Sequence, residues 1–221
     1  GIEDILIISG KGKRSIEDHF DRNYELESRI QEKEDEALYT QLRHIESMAN
    51  IHFIRQKELN GLGDAIYHAR FHCEREPFVV LLGDTIIDSV IPVTQQLIDS
   101  YEQYQQTVIA VETVPWEKVP RYGIVGGNNL SDRVLQLTEL IEKPDRKHAP
   151  SNLAIAGRYI LTPEIFSALE KTPRGKGNEI QLTDALRILL KKEGIIATII
   201  EGKRYDNGNK MDFLKTAVEF A

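Results

Sequence analysis

Phe78-Val79-Val80-Leu81-Leu82-Gly83-Asp84 is the stretch that decides the fold. Its apolar residues show no polar alternation, and glycine ends the run. A short, unbroken apolar run bounded by a turn residue is a strand buried on both faces. Such a strand needs helices to cover it, and helical patterns lie on either side, over Ala65–Phe71 and Val90–Tyr104. The alternation continues outward. Strands are expected at Ile5–Ser9, Ile51–Gln56, Thr107–Val114, Gly123–Val125, Val134–Glu142, Ala154–Leu161 and Ile195–Glu201. Helices are expected at Ser15–Phe20 with Ser15 as cap, at Glu164–Glu170, Leu182–Lys191 and Asp212–Ala221, with one long helix or two in the charged stretch from Tyr24 to Ala49. The fold class is α/β: a Rossmann-like, mixed but mostly parallel sheet flanked by helices.

Composition narrows the function. The chain has 221 residues and a net charge of −7, with 41% hydrophobic residues, enough for a core. An acidic balance argues against a nucleic-acid partner, because neutralising many phosphates takes a basic surface. Cys73 is the single cysteine, so no disulfide framework forms, which suits a reducing cytoplasm. No apolar run reaches the roughly 18 residues that a membrane span needs. The six histidines show no metal-ligand spacing. The turn Lys11-Gly12-Lys13-Arg14 reads as solvated rather than phosphate-binding, and Trp116 as a packing or subunit-contact residue.

Ligands of α/β sheets bind beyond the carboxyl ends of strands. Three motifs are expected there. Asp84 follows the strand at Phe78–Leu82, Gln56 and Gly61-Leu62-Gly63-Asp64-Ala65 follow the strand at Ile51, and Tyr205-Asp206-Asn207-Gly208 follows the last strand. An aspartate at such a place suits Mg²⁺, which prefers carboxylate and phosphate oxygens; the alternative is a turn or helix cap. Asn207-Gly208 alone reads as a tight turn. Glycines at a helix start allow close backbone approach and present free N–H groups, as do many plain turns. Glu142-Lys143-Pro144 ends a strand, where a surface ion pair is the alternative to a sugar-phosphate contact. Asn178-Glu179-Ile180-Gln181-Leu182-Thr183-Asp184 is dense in groups able to fix hydroxyls.

Taken in this order, Gly61–Ala65, Leu82-Gly83-Asp84, Ile141-Glu142-Lys143-Pro144 and Asn178–Asp184 resemble the bacterial-type UTP–glucose-1-phosphate uridylyltransferases, from Ile2 to about Phe220. The resemblance implies the nucleotide-diphospho-sugar transferase fold, and UDP-glucose and pyrophosphate made from UTP and glucose 1-phosphate. It implies Mg²⁺ held by Asp84 and Asp206, with Lys210 near a phosphate. Gln56 and the Gly61 backbone would read uracil, and Lys143 would hold the sugar phosphate. Tyr122, Gly123, Glu142 and Glu179 would hold the sugar. Asn207 and Asn209 stand where the family more often has an apolar residue and an acidic or small one. A cytoplasmic homo-oligomer, dimer or tetramer, is expected.

The family also carries, ahead of the segment matching Ile2, a strand and a glycine-rich loop that cradle the triphosphate. The expectation is therefore one nucleotidyltransferase domain, residues 1–221, N-terminally incomplete and inactive alone. Two alternatives stay open: a non-catalytic nucleotide-sugar binding or regulatory remnant, and a thymidylyl- or adenylyltransferase acting on the same sugar phosphate.

Overall fold

Two parallel strands, β1 (Asp4–Ser9) and β2 (Asn50–Arg55), run in register from Asp4 opposite Asn50 to Ser9 opposite Arg55. They belong to the first of two units into which the chain divides, between His72 and Cys73. The computed structural model describes residues 2–73 and 75–221. Between these strands lie α1 (Arg14–Phe20), α2 (Tyr24–Glu32) and α3 (Glu36–Glu46). The charged stretch is thus two helices. Asn23 caps α2 by accepting from the Leu26 amide, and Asp35 caps α3 by accepting from the Leu38 amide. The polar run Gln31–Glu36 holds the break, where Glu34 adopts φ 54°.

Ser15 lies inside α1 and does not cap it. The cap position is Lys13, because the Gly10–Lys13 turn leads straight into the helix. After β2 come α4 (Leu62–His68) and α5 (Arg70–Cys73).

The second unit is built on a six-stranded sheet and a two-stranded ladder. Its elements are β3 (Phe78–Leu81), β4 (Thr85–Asp88), α6 (Val93–Tyr104), β5 (Thr107–Thr113), β6 (Gly123–Asn129), β7 (Val134–Glu142), β8 (Leu153–Leu161), α7 (Glu164–Glu170), α8 (Leu182–Leu190), β9 (Ile195–Ile199), β10 (Lys203–Asp206) and α9 (Lys210–Glu219). The large sheet has the order β3-β8-β5-β9-β7-β6. It is mixed, as expected, but its balance is not mostly parallel. β5 and β9 pair in parallel, while β3–β8, β5–β8, β7–β9, β6–β7 and β6–β8 are antiparallel. The cause is β8, which runs back between β3 and β5, and the β6–β7 hairpin on the far edge.

Helix α6 starts at Val93 rather than Val90, since Pro92 occupies its cap position, and Gln105 ends it in the left-handed region at φ 53°. Its apolar face buries Val93 and Leu97 against Val108, Ala110, Ala156, Ile160 and Ile196. Burying a side chain such as Leu97, fully excluded from solvent, contributes about 1.5–3 kcal/mol.

Two strands have no counterpart among the expected elements. Thr85–Asp88 and Lys203–Asp206 pair antiparallel as β4 and β10. Their short length and partial exposure hid the strand pattern. Asn209 caps α9 by accepting from the Met211 and Asp212 amides, so this helix begins before Asp212.

Candidate active site

The β4–β10 ladder brings two expected carboxylates to one end of one structure. Asp206 pairs opposite Thr85, and the Asn207 amide donates to the Asp84 carbonyl at 2.8 Å. Asp84 is exposed, just past the carboxyl end of β3, and its Oδ1 accepts from the Thr85 hydroxyl at 3.3 Å. The backbone on both sides of it is tied to β8 by Arg158, whose guanidinium donates to the Leu82, Gly157 and Thr85 carbonyls at 3.0, 2.9 and 2.5 Å.

Asp206 is more enclosed, with 20% of its side chain exposed. Its Oδ2 accepts from the Tyr122 hydroxyl at 2.8 Å and lies 3.7 Å from Arg121 and 3.8 Å from Arg204. Its Oδ1 accepts from the Gly208 amide at 3.0 Å. Burial first, then the hydrogen bond to Asp206, pushes the Tyr122 hydroxyl above the ordinary phenol range. Arg204 is anchored by Glu112 at 2.5 Å and stacks over the Tyr122 ring.

A second group forms where β6 meets β7. Gly123 pairs opposite Glu142, and the Lys143 amide donates to the Tyr122 carbonyl at 3.0 Å. Lys143 adopts φ 46°, an uncommon conformation for a side-chain-bearing residue and one that concentrates at functional sites. Its ammonium lies 3.4 Å from Glu142 Oε1, while Glu142 Oε2 accepts from the Thr183 hydroxyl of α8 at 2.7 Å. A Cβ on Gly123 would stand 2.9 Å from Ile155 Cδ1 and 3.2 Å from Glu142 Oε2, so any larger residue there would push on this carboxylate and its neighbour. Tyr159 is buried in the same region. Burial, then the negative charges of Glu142 and Asp84, raise its hydroxyl far above the phenol range.

Among the described residues no hydrogen bond or ion pair joins Glu179 or Lys210 to either group. Glu179 accepts from Gln181 at 3.1 Å, and Lys210 is exposed at the first position of α9. Trp116 is 46% exposed in a 3₁₀ turn.

In the first unit, Gln56 directly follows β2 and is 8% exposed. Its amide nitrogen donates to Asp64 Oδ2 at 2.7 Å and to the Gly61 carbonyl at 3.4 Å. Gly61 takes φ 100°, which favours glycine, as it opens α4. His68 accompanies Asp64, its Nδ1 2.8 Å from the Asp64 carbonyl.

Among the described residues no cluster of three or more His, Cys, Asp or Glu side chains forms a metal cage. Two carboxylates at the end of one ladder still suit Mg²⁺, a hard ion usually held by one or two carboxylates plus substrate phosphates.

The nucleotidyl transferase family profile matches residues 1–221. The chain belongs to that family. A relative in Bacillus subtilis strain 168 named UTP–glucose-1-phosphate uridylyltransferase is 48% identical over 221 residues, covering all of this chain and 76% of its own length. A Staphylococcus epidermidis protein of the same name is 47% identical, with 77% of its length covered. Among solved structures, a UDP-glucose pyrophosphorylase complexed with UDP-glucose aligns with TM-score 0.89 and 39% identity, over 99% of this chain and 80% of that one. A UTP-bound enzyme of this type from Acinetobacter baumannii aligns with TM-score 0.90 and 34% identity, over 100% and 77%.

Four residues of this nucleotidyl transferase that join the site groups had no role assigned from sequence: Thr183, Asp64, Arg158 and Arg204. Thr183 and Asp64 lie inside motifs already singled out, yet their partners are set by tertiary contact. For Arg158 and Arg204 no local signal exists.

Proposed function

We infer that this chain is a uridylyltransferase that makes UDP-glucose and pyrophosphate from UTP and α-D-glucose 1-phosphate. The observation that carries this is the 48% identity, over the whole chain, to an enzyme of that name. A phosphate oxygen of glucose 1-phosphate attacks the α-phosphorus of UTP. The bond from that phosphorus to the bridging oxygen breaks in line, and pyrophosphate leaves with its electron pair. The attacking phosphate is already ionised, so no general base is required, and catalysis is positioning plus charge neutralisation.

In this reading Lys143 holds the sugar phosphate, its position preset by the left-handed backbone and the Glu142 ion pair. Glu142 accepts from sugar hydroxyls beside Gly123 and the Tyr122 backbone, with Glu179 as a further sugar contact. Gln56 and the Gly61 backbone read the base. Asp84 and Asp206 would hold Mg²⁺, which when bound neutralises phosphate charge. Lys210 meets a phosphate oxygen. We place the enzyme in the cytoplasm as a homo-oligomer, residues 1–221 acting as one nucleotidyltransferase domain; among the described residues no helix is long and apolar enough to cross a membrane.

Pyrophosphate release by a protein that carries the family's N-terminal strand and glycine-rich loop ahead of these residues, with glucose 1-phosphate and each of UTP, dTTP, ATP and CTP, tests the assignment. UTP is expected to be the preferred donor. Turnover with ATP or dTTP exceeding that with UTP would overturn it.

A further inference from the structure

Gln56 is an amide, and an amide is ambiguous: either end can face a ligand. Here the surroundings remove the ambiguity. Its two recorded partners, the Asp64 carboxylate at 2.7 Å and the Gly61 carbonyl at 3.4 Å, are both acceptors. Neither can donate, so the NH₂ end must face them. The amide is planar, and its oxygen is thereby turned to the opposite side. Gln56 is 8% exposed, and the Asp64 side chain is 17% exposed. At that depth a flipped amide would set oxygen against oxygen without water to relieve it, a cost comparable to leaving a buried polar group unpaired.

We propose that Asp64 is the positioning residue that gives this site its base preference, by fixing Gln56 so that it shows the ligand an acceptor and not a donor. The proposal rests on the reading that Gln56 contacts the base. Uracil carries a ring N–H at N3 and satisfies an acceptor. Cytosine carries a bare ring nitrogen at that position and is repelled by one. Adenine has the same mismatch at N1. Thymine shares uracil's edge, so this device excludes cytosine and adenine without separating uracil from thymine. Specificity then comes from an unfavourable contact with the wrong base as much as from a favourable one with the right base.

Binding of UDP-glucose and of CDP-glucose to the 221-residue chain, measured by calorimetry with melting temperatures alongside, tests this. Asp64→Ala frees the amide to rotate, and the uridine-over-cytidine affinity ratio is expected to fall about tenfold or more, the scale of one misdirected hydrogen bond. Gln56→Glu sets two carboxylates against each other and should lose the preference. The double variant Gln56→Glu/Asp64→Asn restores a donor facing residue 56 and an oxygen facing the ligand, and should recover it. A purely structural role for Asp64 predicts no such recovery. If Gln56→Ala collapses the ratio while Asp64→Ala keeps it, or if the double variant does no better than Gln56→Glu alone, the proposal is overturned and the reading of Gln56 stands. If Gln56→Ala leaves the ratio at the wild-type value, or the wild-type chain binds neither nucleotide sugar, the reading itself fails and the proposal with it.

Discussion

The Tyr122 hydroxyl donates to Asp206 Oδ2 at 2.8 Å, across a gap of 84 positions in the chain. It ties the residue before Gly123 to the carboxylate at the end of β10. Tyr122→Phe removes one charge-assisted hydrogen bond and little volume. Such a bond contributes about 1.5–3 kcal/mol. We expect a loss in kcat of about tenfold or more and a higher Mg²⁺ requirement, seen as a shift in the activation curve. An unchanged curve would show that Tyr122 does not orient Asp206 for a metal.

In a protein that also carries the family's N-terminal strand and glycine-rich loop, Asp84→Asn is expected to lower turnover far more than stability. Asp84 is exposed, so little folding energy rests on its side chain. A lost metal ligand removes several kcal/mol of transition-state stabilisation. Pyrophosphate release at saturating Mg²⁺, beside a urea melt, separates the two effects; near-normal release refutes the assignment.

Glu142→Ala and Lys143→Ala should fail differently. The Lys143 variant should show a raised KM for glucose 1-phosphate and for its deoxy analogues alike. The Glu142 variant should discriminate less between them, because a buried acceptor rejects analogues that lack the matching hydroxyl. The same deoxy-to-parent ratio in Glu142→Ala and wild type would mean Glu142 does not touch the sugar.

Thr183→Val keeps the shape of the side chain but takes the donor from Glu142 Oε2, now bonded at 2.7 Å. The carboxylate can then swing toward Lys143. We expect a rise of about fivefold in KM for the sugar phosphate, the scale of one hydrogen bond of about 1 kcal/mol, with the deoxy-to-parent ratio moving in the same direction as in Glu142→Ala. A drop in melting temperature with the ratio unmoved would make Thr183 structural only.

Leu97→Ala tests the core beneath the large sheet. Leu97 is fully buried among Val108, Ala110, Ile160 and Ile196. The loss should be about 2–5 kcal/mol in a urea titration, the range for a leucine cavity, with nucleotide selectivity unchanged at low temperature.

Much of this was legible in the residues. An apolar run such as Ile195–Ile199 reports burial directly, so the strands and covering helices could be placed from pattern. The run at Phe78–Leu81 instead forms an edge strand, half-buried with Leu81 52% exposed, so the expectation of burial on both faces fails there. Strand direction could not: the pattern of β8 says it is buried, and nothing in it says that it runs backward between β3 and β5. The short β4 and β10 escaped for a related reason. Their pairing is the information, and neither half alone carries a strand pattern. Within the site, Glu142 beside Lys143 was readable because the two adjoin in sequence. Arg204 was not, since its meaning comes from Glu112 and Tyr122, brought to it by folding. Asn209 carried a readable signal in Asp212, three residues on, which marks a helix start.

The ladder between β4 and β10 has a consequence in time. Asp84 and Asp206 come from opposite halves of the chain and meet only when these strands zip together. During synthesis the sheet around β3, β5 and β8 can already be collapsing while Asp206 is still unmade, since chains condense from the N-terminus onward. The pairing that unites the carboxylates closes a long loop, a slow event compared with forming the β6–β7 hairpin. A chain stopped before Lys203 would therefore carry Asp84 without its partner carboxylate. In a protein that also carries the family's N-terminal strand and loop, refolding followed by fluorescence should reach its plateau before activity does.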